Sequence, residues 1–174
     1  QRGDERSVSF TKSEIKKMKN CIVSHNHPSG ASFSLADWTV FKRAKLQELR
    51  AIGEDKVYYI RVGEKAEQLW NMPDDDFIEL YEDIRKKIRK EYHNLYKSGK
   101  INKKERLLLS SDEYNRIIAE KVGVKYGKDI SRSEKKVNIS EMPPGKSFDD
   151  YTDDTIFVLD DSDDDNWEEE ENID

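Results

Sequence analysis

"SHNHPSGASFSLADW", residues 24–38, decides how the chain is read. Two histidines flank a single asparagine, Pro28 and Gly30 turn the chain, and Ser34 precedes Asp37 by three residues. Ser-x-x-Asp before an apolar run marks a helix start, with Ser34 as N-cap and Asp37 as its capping-box partner. Upstream, "CIVSH" (21–25) reads as a short buried strand that ends at the first histidine. Before it, "FTKSEI" (10–15) is another helix start, running to about Lys19: Thr11 caps, Glu14 stands three residues on, and Phe10 and Ile15 occupy hydrophobic-staple positions. Downstream, "LADWTVFKRAKLQELRAI" is expected to form one helix with Trp38, Phe41, Leu49 and Ile52 on its apolar side and Gly53 at its end. "VYYIRV" (57–62) is the next strand. The order helix, strand, loop, helix, strand makes the first part α/β or α+β.

Entry into a proline-containing turn can bring both imidazoles to one side of the strand end. A catalytic zinc takes three protein ligands, mostly His and carboxylate, and keeps a fourth position for water. His25, His27 and Asp37 supply such a set, and the first turn of a helix holds the carboxylate rigidly. Zinc lowers the pKa of its bound water to about 7, and hydrolysis then needs a base for the proton and a donor for the oxyanion. Ser34 stands where such a donor is needed. On spacing alone two readings stand: a metal site, or a polar loop whose Ser34 and Asp37 do no more than cap a helix.

The letters themselves go further. "HNHPSG" followed by Ser-x-x-Asp, set between a helix and apolar strand before it and a helix after it, resembles the signature of JAMM (MPN/JAB-type) metalloproteases. The likeness is to the RadC-like branch found in bacteria, phages and mobile elements, and it covers roughly residues 7–62. It implies that His25, His27 and Asp37 are zinc ligands, that Ser34 is the oxyanion donor, and that the fold is a small cytidine-deaminase-like α/β/α sandwich. The implied activity is hydrolysis of peptide or isopeptide bonds, with a protein or peptide as substrate or partner. The alternative is a catalytically inactive module of the same fold serving assembly or protein contact. Two features depart from the family pattern. The gap from His27 to Ser34 is one residue shorter, and the family's catalytic Glu belongs on a strand upstream, where Glu5 and Glu14 are the only candidates. Glu14 is accounted for by the capping box with Thr11. The chain begins at Gln1 rather than Met, which fits a truncated α/β domain whose base lies on a segment not included. An HNH-nuclease reading fails, because that motif spreads its residues over a ββα unit.

Beyond the motif, Phe77, Tyr81, Ile84, Ile88, Tyr92 and Leu95 recur at helical spacing. Pro73 and Asp74 to Asp76 suit the start of that helix and Gly99 its end. A further helix is expected from Ser110 or Ser111, with Glu113 in a capping box and Tyr114, Ile117, Ile118 and Val122 on its apolar face. The domain reading is an α/β metal-binding part over 1–70, a helical extension over 71–130 and an acidic, disordered tail over 131–174. A break is expected at Pro143, Pro144 and Gly145.

Of the 174 residues, 34% are apolar and 39% charged, so any core is modest for the length and a charge-rich segment lies outside it. The formal charge of −6 divides unevenly. Residues 131–174 carry four Lys/Arg and sixteen Asp/Glu, a net of −12, which leaves +6 on residues 1–130. "TIFVLDDSDDD" (155–165) resembles a SUMO-interacting motif, implying a ubiquitin-like partner. The preferred reading is that Ile156 to Leu159 dock on the chain's own body, with the acidic run near its positive surface. The lysine-rich helix face "RKKIRK" reads as solvated rather than as a nucleic-acid surface. His93 reads as a helix histidine beside the apolar stripe, Cys21 as a buried strand residue, and Trp70 and the Tyr58–Tyr59 pair as packing residues. No apolar run approaches the ~20 residues that span a bilayer. The single cysteine fits a reducing, cytoplasmic setting.

Overall fold

The computed structural model describes residues 2–3, 8–9, 11–53 and 56–129. The tail, the break at Pro143 to Gly145, Glu5 and Phe10 lie outside them. The elements are β1 (Arg2–Gly3), β2 (Val8–Ser9), α1 (Lys12–Lys17), β3 (Ile22–Asn26), α2 (Leu35–Ala44), β4 (Glu48–Ile52), β5 (Val57–Arg61), α3 (Glu67–Asn71), α4 (Asp74–Lys97), α5 (Lys103–Val122) and β6 (Lys125–Asp129). β1 and β2 pair by themselves; β3, β4, β5 and β6 form a four-stranded sheet in that order. β3 and β4 are parallel, joined through α2, and the other two pairings are antiparallel.

Register sorts the side chains, because alternate residues of a strand face opposite sides. Val23 pairs Leu49, Leu49 pairs Ile60, and Ile60 pairs Tyr126, so these four share one face. The first three are fully buried there. His25 follows Val23 by two residues and lies on the same face. The opposite face carries Glu48, which receives Arg50 at 2.6 Å and Arg61 in a second ion pair, while the Arg61 guanidinium lies over the Tyr59 ring.

The helical part shares a hydrophobic core with the α/β part. Trp38 of α2 meets Phe77 of α4 at a ring distance of 5.9 Å, and Tyr81 of α4 meets Tyr114 of α5 at 5.8 Å. Trp70 is half-buried against Phe41, 5.3 Å between rings. α4 starts after Pro73 and runs its apolar stripe to the turn at Gly99, where φ is +71°, as the spacing predicts. α1 carries the Thr11–Glu14 capping box in both directions, with Thr11 N–H donating to Glu14 Oε2 at 2.7 Å and Glu14 N–H donating to Thr11 Oγ1 at 3.2 Å.

Three expectations are corrected, and one strand was not expected. The helix from Ser34 does not reach Gly53. It stops at Ala44, where Lys45 turns left-handed (φ 50°) and Leu46 N–H bonds Phe41 O, a helix-ending pattern. Leu49 and Ile52 lie in β4 instead. A strand there is hydrogen-bonded on both sides by β3 and β5, which outweighs local helical spacing. α5 starts at Lys103 rather than at Ser110 or Ser111, because Asn102 and Glu105 form a capping box a full two turns earlier. Ser110 and Ser111 sit buried in mid-helix, their hydroxyls donating to the carbonyls of Leu107 and Leu108. β6 has no counterpart in the sequence reading; Gly127 at its centre weakens the strand pattern. Cys21 is half-buried and precedes β3.

Candidate metal centre

The C-terminal end of β3 delivers His25 into the core, and the chain leaves the strand at Asn26. His27 follows, its N–H bonded to Ile52 O at 2.9 Å, which continues the β3–β4 ladder by one step. Gly30 then adopts φ +72°, and its N–H closes a turn on His27 O at 2.9 Å. Seven residues after His27, Ser34 caps α2 and places Asp37 on its first turn. The polypeptide therefore approaches one point from a strand end and from a helix start.

The three side chains converge there. His25 Nε2 lies 2.6 Å from His27 Nε2 and 3.0 Å from Asp37 Oδ1, while His27 Nε2 lies 3.3 Å from Asp37 Oδ2. All three residues are about 1% exposed, and their ligand atoms fall within 4.8 Å of one another. Among the described residues no fourth His, Cys, Asp or Glu joins the group. Phe33 packs against both imidazoles at 6.3 Å and gives the group an apolar wall.

Burial by itself pushes the Asp37 carboxyl up, but the charge and hydrogen bond of His25, then those of His27, outweigh it and hold the group well below the usual carboxylate range. Asp37 is thus a buried anion, and a buried charge needs a partner. The partner is an imidazolium proton or a metal cation, and the two compete for the same nitrogen lone pairs.

Neighbouring groups fix the ligands. His27 Nδ1 lies 3.0 Å from Ala31 O; donation to that carbonyl puts the proton on Nδ1 and leaves the Nε2 lone pair facing the cluster. Ser34 donates twice to Asp37 Oδ2, from its backbone N–H and from its hydroxyl, both at 2.8 Å. Asp37 N–H returns a bond to Ser34 Oγ at 3.3 Å. Ser34 is half-buried and, as arranged here, orients the carboxylate. His25 Nδ1 is buried without a hydrogen-bond partner among the described residues. The donor set of two imidazole nitrogens and one carboxylate oxygen suits a borderline divalent cation. The residues present fit a metal ion.

A second set of residues, which the sequence reading missed, holds the loop between His27 and Ser34. Asn115 of α5 donates to Phe33 O at 2.8 Å and accepts from Trp38 Nε1 at 2.5 Å, so one buried amide ties the loop to α2. Ser111 Oγ accepts from Ser32 N–H at 3.0 Å. Ser32 Oγ meets Tyr126 OH at 2.8 Å, and Tyr126 donates to Asp112 Oδ1 at 2.6 Å. A signal was present: Ser111, Asn115, Ile118 and Val122 fall at spacings of 4, 3 and 4, putting two polar residues on an otherwise apolar stripe. His93 stays away from the cluster; half-buried on α4, its Nδ1 lies 3.0 Å from Arg106 Nη1. Glu14 remains in its capping box.

Fold and site together define a mixed α/β domain with a four-stranded sheet, helices, and a buried His–His–Asp group able to hold a metal ion. No protein-family model, no curated protein and no solved structure matches the chain. Among the described residues no helix is long and apolar enough to cross a membrane.

Proposed function

We propose that the chain is a RadC/JAMM-like zinc-binding domain of the cytidine-deaminase-like type, whose chemistry is metal-dependent hydrolysis of peptide or isopeptide bonds in a protein substrate. The observation that carries this reading is the buried convergence of His25, His27 and Asp37. They are the residues that the JAMM resemblance assigns as ligands, brought together from a strand end and a helix start. The parallel β3–α2–β4 unit supports it, since open α/β sheets bind ligands beyond the carboxyl ends of their strands.

Zinc held by three protein ligands supplies a Lewis acid and a bound water of lowered pKa. The chain's own residues set the conditions for that chemistry. Phe33 keeps bulk water from the imidazoles, Ala31 O holds the His27 tautomer, and Ser34 holds the Asp37 carboxylate in register. Ser34 also carries the oxyanion role in this proposal, its half-buried hydroxyl turning from Asp37 toward the developing negative charge.

The non-catalytic alternative, an assembly or interaction module of the same fold, draws on one observation: among the described residues no second carboxylate stands in the group to act as base. One assay separates the two. Zinc-loaded full-length chain is incubated with a lysine-linked isopeptide library, beside Asp37→Asn and Ser34→Ala. Cleavage that disappears in both variants supports the hydrolase. Zinc binding without any cleavage leaves the metal-holding module.

A further inference from the structure

The positive charge of the body is confined to one place. Residues 85–106, the second half of α4, the turn at Gly99 and the start of α5, carry ten Lys/Arg and two Glu, a net of +8. Residues 1–84 sum to −2 and residues 107–130 to zero, so this hairpin end accounts for the whole excess over 1–130. Lys86, Lys87, Lys90, Lys97, Lys100, Lys103 and Lys104 are all exposed there. None makes an ion pair among the described residues.

Lys86, Lys90 and Lys97 fall within about 40° of one another around α4 and span about 16 Å of its length. The first turn of α5 lies beside them, because Arg106 reaches both His93 and the face of the Tyr96 ring, 4.9 Å from its centroid. The helix dipole explains part of this pattern and contradicts the rest. Lys97 in the last turn of α4 is favoured by the negative end of that helix. Lys103 and Lys104 occupy the first two positions of α5, where the positive end of the helix disfavours cations. Within the first turn of α5 only Glu105 offsets the two lysines. An external anion offsets them further, since it would meet the lysines and the free N–H groups of the first turn together.

We infer that this hairpin end is the docking surface for the chain's own acidic segment, residues 147–174. That segment holds fourteen Asp/Glu and no Lys or Arg, a charge of −14 against +8. It is also tethered on the right side of the fold. β6 runs back along α5 toward its N-terminal end, with Lys128 Nζ 2.5 Å from Asp112 Oδ2. Asp112 is nine residues from Lys103, about 14 Å along the helix. Seventeen residues separate Asp129 from residue 147, and at about 3.3 Å per residue fully extended they can reach well beyond that distance. Tethering at such range gives an effective concentration of order millimolar, so weak, screened contacts suffice for occupancy. The inference does not depend on the metal reading.

Zero-length carbodiimide cross-linking of the full chain, mapped by mass spectrometry on an equal mixture of isotopically light and heavy protein, tests it. At about 20 mM salt, links from Asp/Glu of residues 149–171 should concentrate on the seven hairpin lysines and fall at least about fivefold at 0.5 M salt, where the Debye length shrinks to a few ångströms. They should connect residues of one isotope only. K86E/K90E/K103E/K104E should abolish them without altering circular dichroism. Links spread over Lys16, Lys19, Lys45 and Lys65 in proportion to exposure would overturn the assignment. So would links that join light to heavy chains, which would make a second copy the occupant, or a short DNA duplex that displaces the segment at equal concentration, which would give the surface to nucleic acid.

Discussion

Asp37 meets two demands at once, ending the hydrogen-bond needs of the α2 start and facing two imidazoles with the rest of its carboxylate. Thr11–Glu14 is the same capping device without the second demand, and it separates stability from metal holding. Thr11→Ala should cost about 0.5–2 kcal/mol in chemical denaturation and leave metal content unchanged. Glu48 offers a second separation, by pH. Its side chain is 4% exposed; burial raises its carboxyl, but the hydrogen bonds of Arg61 and then Arg50 outweigh burial and lower it. A carboxyl lowered in the folded state binds its proton more readily when unfolded. Its contribution is complete above the ordinary Glu range and is lost as pH falls through the lowered folded value. Unfolding free energy measured from pH 7 to pH 3 should therefore fall less steeply in Glu48→Gln than in the parent. The difference should be about 1 kcal/mol, since both arginines are half in water.

At the scale of elements, the hydrogen bonds of Asn115 make α5 a support for the metal loop rather than an appendage. Asn115→Leu should weaken zinc affinity roughly 10–100-fold, as loss of groups that orient ligands does. Ile118→Val, one turn along the same buried stripe, should lower stability by about 0.5–1.5 kcal/mol and leave zinc affinity alone. Competition titration against a chelating dye, with thermal melts in parallel, distinguishes the two effects. These support residues also mark where sequence reading ran out. His25, His27, Asp37 and the N-caps Thr11 and Ser34 were legible because each is specified by neighbours within a few residues, and the α4 stripe because its period repeats over about five turns. The end of α2 was not, since Leu49 and Ile52 continue a helical spacing that only pairing with β3 and β5 overrules. Asn115 and Tyr126 act on a loop some eighty and ninety residues away; the polar break that Ser111 and Asn115 make in the α5 stripe marks buried polar groups but does not identify partners so distant in sequence.

For the whole molecule, a metal bound only by the folded chain adds to its stability. At a free zinc concentration one hundred times Kd the gain is about 2.7 kcal/mol, so the melting temperature should rise with zinc until the site saturates. The rise should vanish when the ligands are removed, while the hairpin end and its charge go on unaffected. The most direct measurement is the metal content of purified full-length chain beside His25→Ala/His27→Ala, both taken through the same zinc loading and desalting, with folding checked by circular dichroism. About one zinc per chain in the parent and none in the folded double variant is the predicted result. Equal zinc in the two proteins, or none in either, would contradict the assignment of His25, His27 and Asp37 as a metal centre.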